Sequence, residues 1–138
     1  VVNGAGPIGI AVLTVLKTMG ITNVILVDGN EKTFKSWKEI GATATLNFMD
    51  YPSGDALVEK IKELTGGVGA GFVFQTTGNA KGFQNAMKFT KRGGGLCEVG
   101  FFVELGEVSI DPHKDICFKE ITMVGSLCIC TTELSAYN

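Results

Sequence analysis

The chain has 138 residues, 45% of them hydrophobic, a formal net charge of −2 and four cysteines. That is one domain's worth, long enough to bury roughly two-thirds of the surface the unfolded chain exposes. Acids and bases are interspersed, with no basic run longer than Lys91-Arg92, which removes the electrostatic basis for binding nucleic acid or a membrane surface.

Val1-Val2-Asn3 reads as a strand that runs straight into Gly4-Ala5-Gly6-Pro7-Ile8-Gly9. A helix follows from about Pro7 to Met19, with Ile8, Val12, Val15, Leu16 and Met19 on one stripe and Gly20 at a left-handed cap. A second apolar run, Val24 to Val27, closes on Asp28, nineteen residues beyond Gly9. Strand, glycine turn, helix, strand and acid, in that order, form the dinucleotide-binding fingerprint. A pyrophosphate needs bare backbone N–H groups at a helix N-terminus, where the dipole favours negative charge. Gly4 permits the turn, Gly6 lets the phosphates approach, and Gly9 lets the helix pack closely on the strand. Pro7 and Ile8 open that helix, and Asp28 is placed to accept both hydroxyls of the adenosine ribose, which points to NAD rather than NADP.

Further along, a helix from about Glu31 to Ile40 turns Phe34, Trp37 and Ile40 inward and stops at Gly41. Ala42 to Leu46 is a short strand. Ser53 or Gly54 starts a helix striped by Leu57, Val58, Ile61 and Leu64, ended by Gly66-Gly67. Phe72-Val73-Phe74 reads as a parallel strand covered on both faces. A helix from about Ala80 to Thr90 precedes Gly93-Gly94-Gly95, expected to turn the chain into a strand from Leu96 to Gly100. A short extended piece, Glu107 to Ile110, and a last strand, Ile121 to Val124, complete an α/β doubly wound fold. Its six parallel strands are expected in the order 3-2-1-4-5-6.

Cys97, Cys117, Cys128 and Cys130 contain no C-x-x-C pair and are read as reduced, mostly buried thiols, neither a zinc site nor a redox pair. The sole histidine, His113, follows Asp111-Pro112 and is read as a solvated loop residue. The apolar stretches fall short of a membrane span and the start lacks the form of a signal peptide. A cytoplasmic location is therefore expected. The first residue is not Met and the first strand begins at once, so the chain reads as a piece of something longer.

The glycine turn, Asp28, Ile40-Gly41-Ala42, Thr77-Gly78-Asn79, Gly94-Gly95 with Gly100, and Phe118 to Ile121 with Val124-Gly125-Ser126 stand in a specific order. Together they resemble the coenzyme domain of zinc-type medium-chain alcohol or polyol dehydrogenases over essentially the whole chain. The resemblance implies that residues 1–138 are the NAD-binding domain of a longer dehydrogenase, that Ile8 backs the nicotinamide ring, and that Thr77 and Gly78 line the adenine side. It further implies that backbone near Val99, Gly100 and Phe101, and near Ser126 and Cys128, fixes the carboxamide. Thr33 stands beside the adenine, where many members carry a basic residue. Trp37 replaces a usually small residue, as core packing or as a contact with another domain, and Gln75 replaces a frequent acid.

The resemblance implies zinc in the parent enzyme, held on a catalytic domain this chain lacks. No catalytic or metal-binding residue is assigned here, and the chain alone is expected to be inactive. The implied partners are a small alcohol, met through the other domain, and a second subunit, met through the sixth-strand edge. Two other readings compete: an NAD-sensing regulatory domain of a transport system, which leaves Ile40-Gly41-Ala42 and the Phe118 to Ser126 block unaccounted for, and a zinc-free, NADPH-dependent quinone reductase relative, which generally lacks an acid at the position of Asp28. A methyltransferase ranks below them. Neither Tyr51 nor Tyr137 has the lysine four residues on that a short-chain reductase needs.

Overall fold

Residues 1–127 are described by a computed structural model. Six strands form one sheet in the order β3-β2-β1-β4-β5-β6: β1 (Val2–Asn3), β2 (Ile25–Asp28), β3 (Ala44–Asn47), β4 (Ala70–Gln75), β5 (Thr90–Glu98) and β6 (Thr122–Gly125). All five pairings are parallel, and the order is the one the sequence predicts. Four helices connect them: α1 (Pro7–Thr18), α2 (Phe34–Ile40), α3 (Gly54–Leu64) and α4 (Ala80–Phe89). The Ser53 hydroxyl caps α3 by accepting from Ala56 N, and the Asn79 amide oxygen caps α4 by accepting from Gly82 N at 2.7 Å.

Alternate residues of each strand divide between two cores. Ile25, Val27, Val73 and Leu96 pack with Leu57, Val58 and Ile61 of α3 and Ala86, Met87 and Phe89 of α4. Val2, Val24 and Leu26 pack on the other face with Leu13 and Trp37. Right-handed crossovers account for the division, because the chain winds outward through β1, β2 and β3 and then returns to wind the other way through β4, β5 and β6. Trp37 is fully buried, which makes it core packing.

Several expectations are corrected by this geometry. On α1 the buried residues are Gly9 and Leu13; Val15 and Met19 are exposed, at 55% and 69%. Phe72, expected to be covered, is 43% exposed, because among the described residues no helix lies over β4 and β5 on the α1 side. Ile40 is also exposed, since α2 lasts only seven residues and meets the core through Trp37. Its first turn, Glu31–Thr33, is a 3-10 segment.

The glycines at 93–95 lie inside β5 instead of leading into it. Pairing shifts register between Ala70 and Phe72, and Gly93 takes φ +67°, so they form a bulge that the strand passes through. Gly95 leaves room for the Phe72 ring, which a side chain there would strike. The stretch from Glu107 to Ile110 forms no strand. His113 belongs to a π-helical segment, Pro112–Cys117, started by Asp111, whose carboxylate accepts from His113 N and Lys114 N. Cys117 is exposed and Cys97 half-buried, against the expected burial; Cys128 and Cys130 lie outside the described residues.

Leu13 alone fully buries a large side chain from α1, so Leu13→Ala is expected to cost about 2–5 kcal/mol. Val15→Ala, on the stripe the sequence favoured, is expected to cost less than about 0.5 kcal/mol. Urea unfolding of both variants checks the contrast; equal losses would place the α1 seam elsewhere.

Candidate functional site

Parallel register brings the ends of the strands into one line. Asn3 lies opposite Val27 and Gln75, Gln75 opposite Glu98, and Glu98 opposite Gly125. The residues that follow each strand are therefore gathered along the carboxyl edge: the turn from Gly4, Asp28, Thr76 to Gly78, Val99 to Phe101, and Ser126. In an open α/β sheet this is the edge where ligands bind.

The turn from Gly4 to Gly9 is built for close approach. Gly4 has φ +119°, and a side chain at Gly9 would overlap the Gly4 carbonyl and come within 3.0 Å of Trp37 Cη2. Gly6 differs: its φ of −77° suits any residue, and a Cβ there would meet nothing within 4 Å. Open space at Gly6 is thus not demanded by the fold. Gly6 is the N-cap of α1, with no side-chain cap and no acid in the first turn. The first-turn N–H groups, beginning at Ile8 because Pro7 has none, remain available to an anion.

Asp28 stands at the tip of β2 beside this turn. Its Oδ2 accepts from Ala5 N at 2.6 Å and its Oδ1 from Asn30 N at 2.7 Å. The two bonds fix the carboxylate and leave further lone pairs on each oxygen. Next to it a cavity of about 110 Å³ is lined by Asp28, Phe48, Thr77, Asn79 and Lys81, among others. The phosphate turn, the carboxylate and this cavity fit the pyrophosphate, ribose and adenosine end of a dinucleotide.

Beneath the edge is a neutral amide network. Gln75, fully buried, accepts from Asn3 Nδ2 at 2.9 Å and donates from Nε2 to Thr77 O and Thr77 Oγ1 at 2.6 and 2.7 Å. A carboxylate cannot donate, so an amide suits this position where an acid would not, and it holds Thr77 in place. Gly100 is buried, and a side chain there would overlap the Thr77 backbone. Gly78 lies beside it, near Leu105 and the Gly100 carbonyl. The Phe101 ring meets Phe83 edge-on, with centroids 6.2 Å apart.

Ile8 is exposed at the helix start and Ser126 donates its N–H to Glu98 O at 2.9 Å. Thr33 sits apart, at the junction with α2, its hydroxyl donating to Asn30 O; it does not line the cavity. Cys128 lies outside the described residues. Phe48 and Lys81 were not picked out from sequence, since each reaches the cavity only when β3 and α4 are brought to the same edge. Among the described residues, no three His, Cys, Asp or Glu side chains stand close enough to hold a metal ion.

Residues 7–137 match the family model described as zinc-binding dehydrogenase. D-xylulose reductase of Saccharomyces cerevisiae is 32% identical over 136 residues, covering 98% of this chain and 37% of that protein. An alcohol dehydrogenase from Thermotoga maritima superposes with a TM-score of 0.87 at 27% identity, over 98% of this chain and 37% of the other. A zinc-binding dehydrogenase from Sinorhizobium meliloti, solved bound to NADP, superposes at 0.80 and 27%, over 91% and 36%. The chain thus spans about a third of the length of the relatives it matches. Its sheet order, glycine turn and strand-tip acid agree with that match: this chain belongs to the zinc-binding dehydrogenase family.

Proposed function

We propose that this chain is the NAD(H)-binding domain of an alcohol or polyol dehydrogenase. The observation that carries this is the uncapped N-terminus of α1 at Gly6, which faces open space beside the fixed carboxylate of Asp28. When bound, the cofactor supplies the carbon centre that accepts or returns hydride. The chain's own residues bind and orient it. First-turn N–H groups of α1 hold pyrophosphate, Asp28 holds the adenosine ribose, Thr77 and Gly78 border the adenine side, and the strand ends at Val99, Gly100, Phe101 and Ser126 border the nicotinamide. Thr33, beside the tip of β2, is assigned to the outer margin of the adenine, and Cys128, outside the described residues, is assigned to the carboxamide by the family resemblance.

The alcohol pocket and the catalytic zinc are assigned to sequence beyond this chain, in a parent that acts in the cytoplasm. The coverage of only about a third of each relative supports placing the pocket and the zinc outside this chain. The fragment alone is then a cofactor binder with no turnover. In the parent, β6 is the pairing edge between subunits: it is one of the two edge strands, and its Met123 and Val124 are 44% and 47% exposed.

The NADP carried by one structural relative makes cofactor choice the sharpest test. Asp28 offers charge-assisted hydrogen bonds to a diol, roughly 1.5–3 kcal/mol each, and repels a 2′-phosphate. NAD(H) is therefore expected to bind roughly tens- to hundreds-fold more tightly than NADP(H). Calorimetric titration of both reads the ratio; a preference for NADP that survives Asp28→Ala would remove Asp28 from the site. Gly6→Val is expected to keep the native circular dichroism and unfolding midpoint while NAD(H) affinity drops at least tenfold, because only ligand space is filled. Native affinity in that variant would refute the phosphate assignment. For the β6 edge, sedimentation of the chain is expected to show a dimer that Val124→Lys dissociates, and a monomer at all concentrations would count against pairing there.

A further inference from the structure

β5 is apolar at its centre, yet its last residue is an acid. Leu96 is fully buried against α3 and α4; Glu98, two residues on, shares that face and is half-buried. Burial pushes its carboxyl above the ordinary range, while the N–H groups of Phe101 and Gly100 act in the opposite direction. Such an acid is costly to keep at a strand end unless it does something there.

What it does is tie together the segments that leave the strands on one side of the site. Glu98 Oε1 accepts from Gly100 N at 2.7 Å and from Phe101 N at 3.0 Å. Its backbone carbonyl accepts from Ser126 N at 2.9 Å, just beyond β6. Val99 N and Gly100 N also reach Gln75 O, at 2.9 and 3.0 Å. The other carboxylate oxygen, Oε2, is buried without a partner. Chain after Glu98 is thus held by Glu98 Oε1 together with the Gln75 carbonyl, and the exit from β6 by the carbonyl of Glu98.

The location of this tie decides which half of a dinucleotide feels it. The phosphate turn follows β1 and Asp28 ends β2, whereas β5 and β6 lie on the far side of β4. A ligand laid across the edge with its adenosine between Asp28 and the turn after β4 therefore places its nicotinamide over the ends of β5 and β6. We propose that Glu98 is a positioning residue for the nicotinamide, holding the backbone of Gly100, Phe101 and Ser126 in the arrangement the carboxamide needs. This rests on the NAD(H)-binding reading above and adds to it a residue that acts through others.

The test compares NADH with ADP-ribose, which keeps adenosine, both riboses and the pyrophosphate and lacks the nicotinamide. Calorimetry on the 138-residue chain is expected to show NADH binding about tenfold more weakly to Glu98→Leu than to the wild type, with ADP-ribose affinity unchanged. Glu98→Gln keeps an oxygen acceptor at the same place and is expected to recover most of the NADH affinity. The fluorescence of bound NADH gives a second reading, with its enhancement reduced in Glu98→Leu and restored in Glu98→Gln. Equal loss for both ligands, or no loss for either, would overturn the assignment. Failure to fold in both Glu98→Leu and Glu98→Met would assign the carboxylate to stability and overturn it as well. If the wild-type chain bound neither ligand, the cofactor reading itself would fall, and this one with it.

Discussion

The contact between α1 and β1 sets the geometry from which the rest of the molecule follows. At Gly9 the helix lies so close to the strand that a single added carbon would overlap the Gly4 carbonyl. That approach is possible only with hydrogen as the side chain. It brings the N-terminus of α1 to the carboxyl edge of the sheet, makes room for Trp37 against the same spot, and so lets α2 dock on the same core. The free helix end is then a by-product of packing: α1 points its unpaired N–H groups at the edge because it has nowhere else to lie.

A second layer of organisation keeps that edge in order. Asn3, Gln75 and Thr77 form a largely buried network in which the Gln75 amide accepts from Asn3 Nδ2 and donates to Thr77, so β1, β4 and the turn after β4 are locked in relative position. Lys119 does related work at the opposite end of the sheet. Its ammonium donates to the carbonyls of Met87 and Lys88 at the end of α4, at 2.6 and 3.2 Å, which closes that helix and anchors the approach to β6.

The strand order and the tight glycine turn were legible in the sequence because both follow from short-range demands. Glycine at Gly4 and Gly9 answers a steric demand, and alternation of strands with helices leaves few right-handed windings. Burial along α1 was not legible: Ile8, Val12, Val15, Leu16 and Met19 form a valid stripe, but which part is covered depends on what lies over β4 and β5, fifty or more residues away. The bulge at Gly93 to Gly95 was misread for a similar reason, since glycines signal a turn equally well and only the shifted pairing with β4 distinguishes the two. Asp111-Pro112 carried a readable signal, an acid cap followed by proline at the first helical position, and the π-helical segment there could have been expected. Gln75 and Glu98 gave no such local sign, because their roles exist only where strand ends meet.

Asp28 carries a consequence for how affinity is built. Its two oxygens are already engaged by Ala5 N and Asn30 N, so the side chain holds one rotamer before any ligand arrives. Any ligand that hydrogen-bonded to this carboxylate would cost little side-chain entropy, a contribution worth up to about 1 kcal/mol for a free acidic side chain. The same bonds tie the tip of β2 to the phosphate turn, so movement in either element is transmitted to the other. Glutamate at this position would retain the charge but not the reach: one more methylene displaces the oxygens from Ala5 N or from Asn30 N, and the carboxylate would have to settle afresh with each ligand it met.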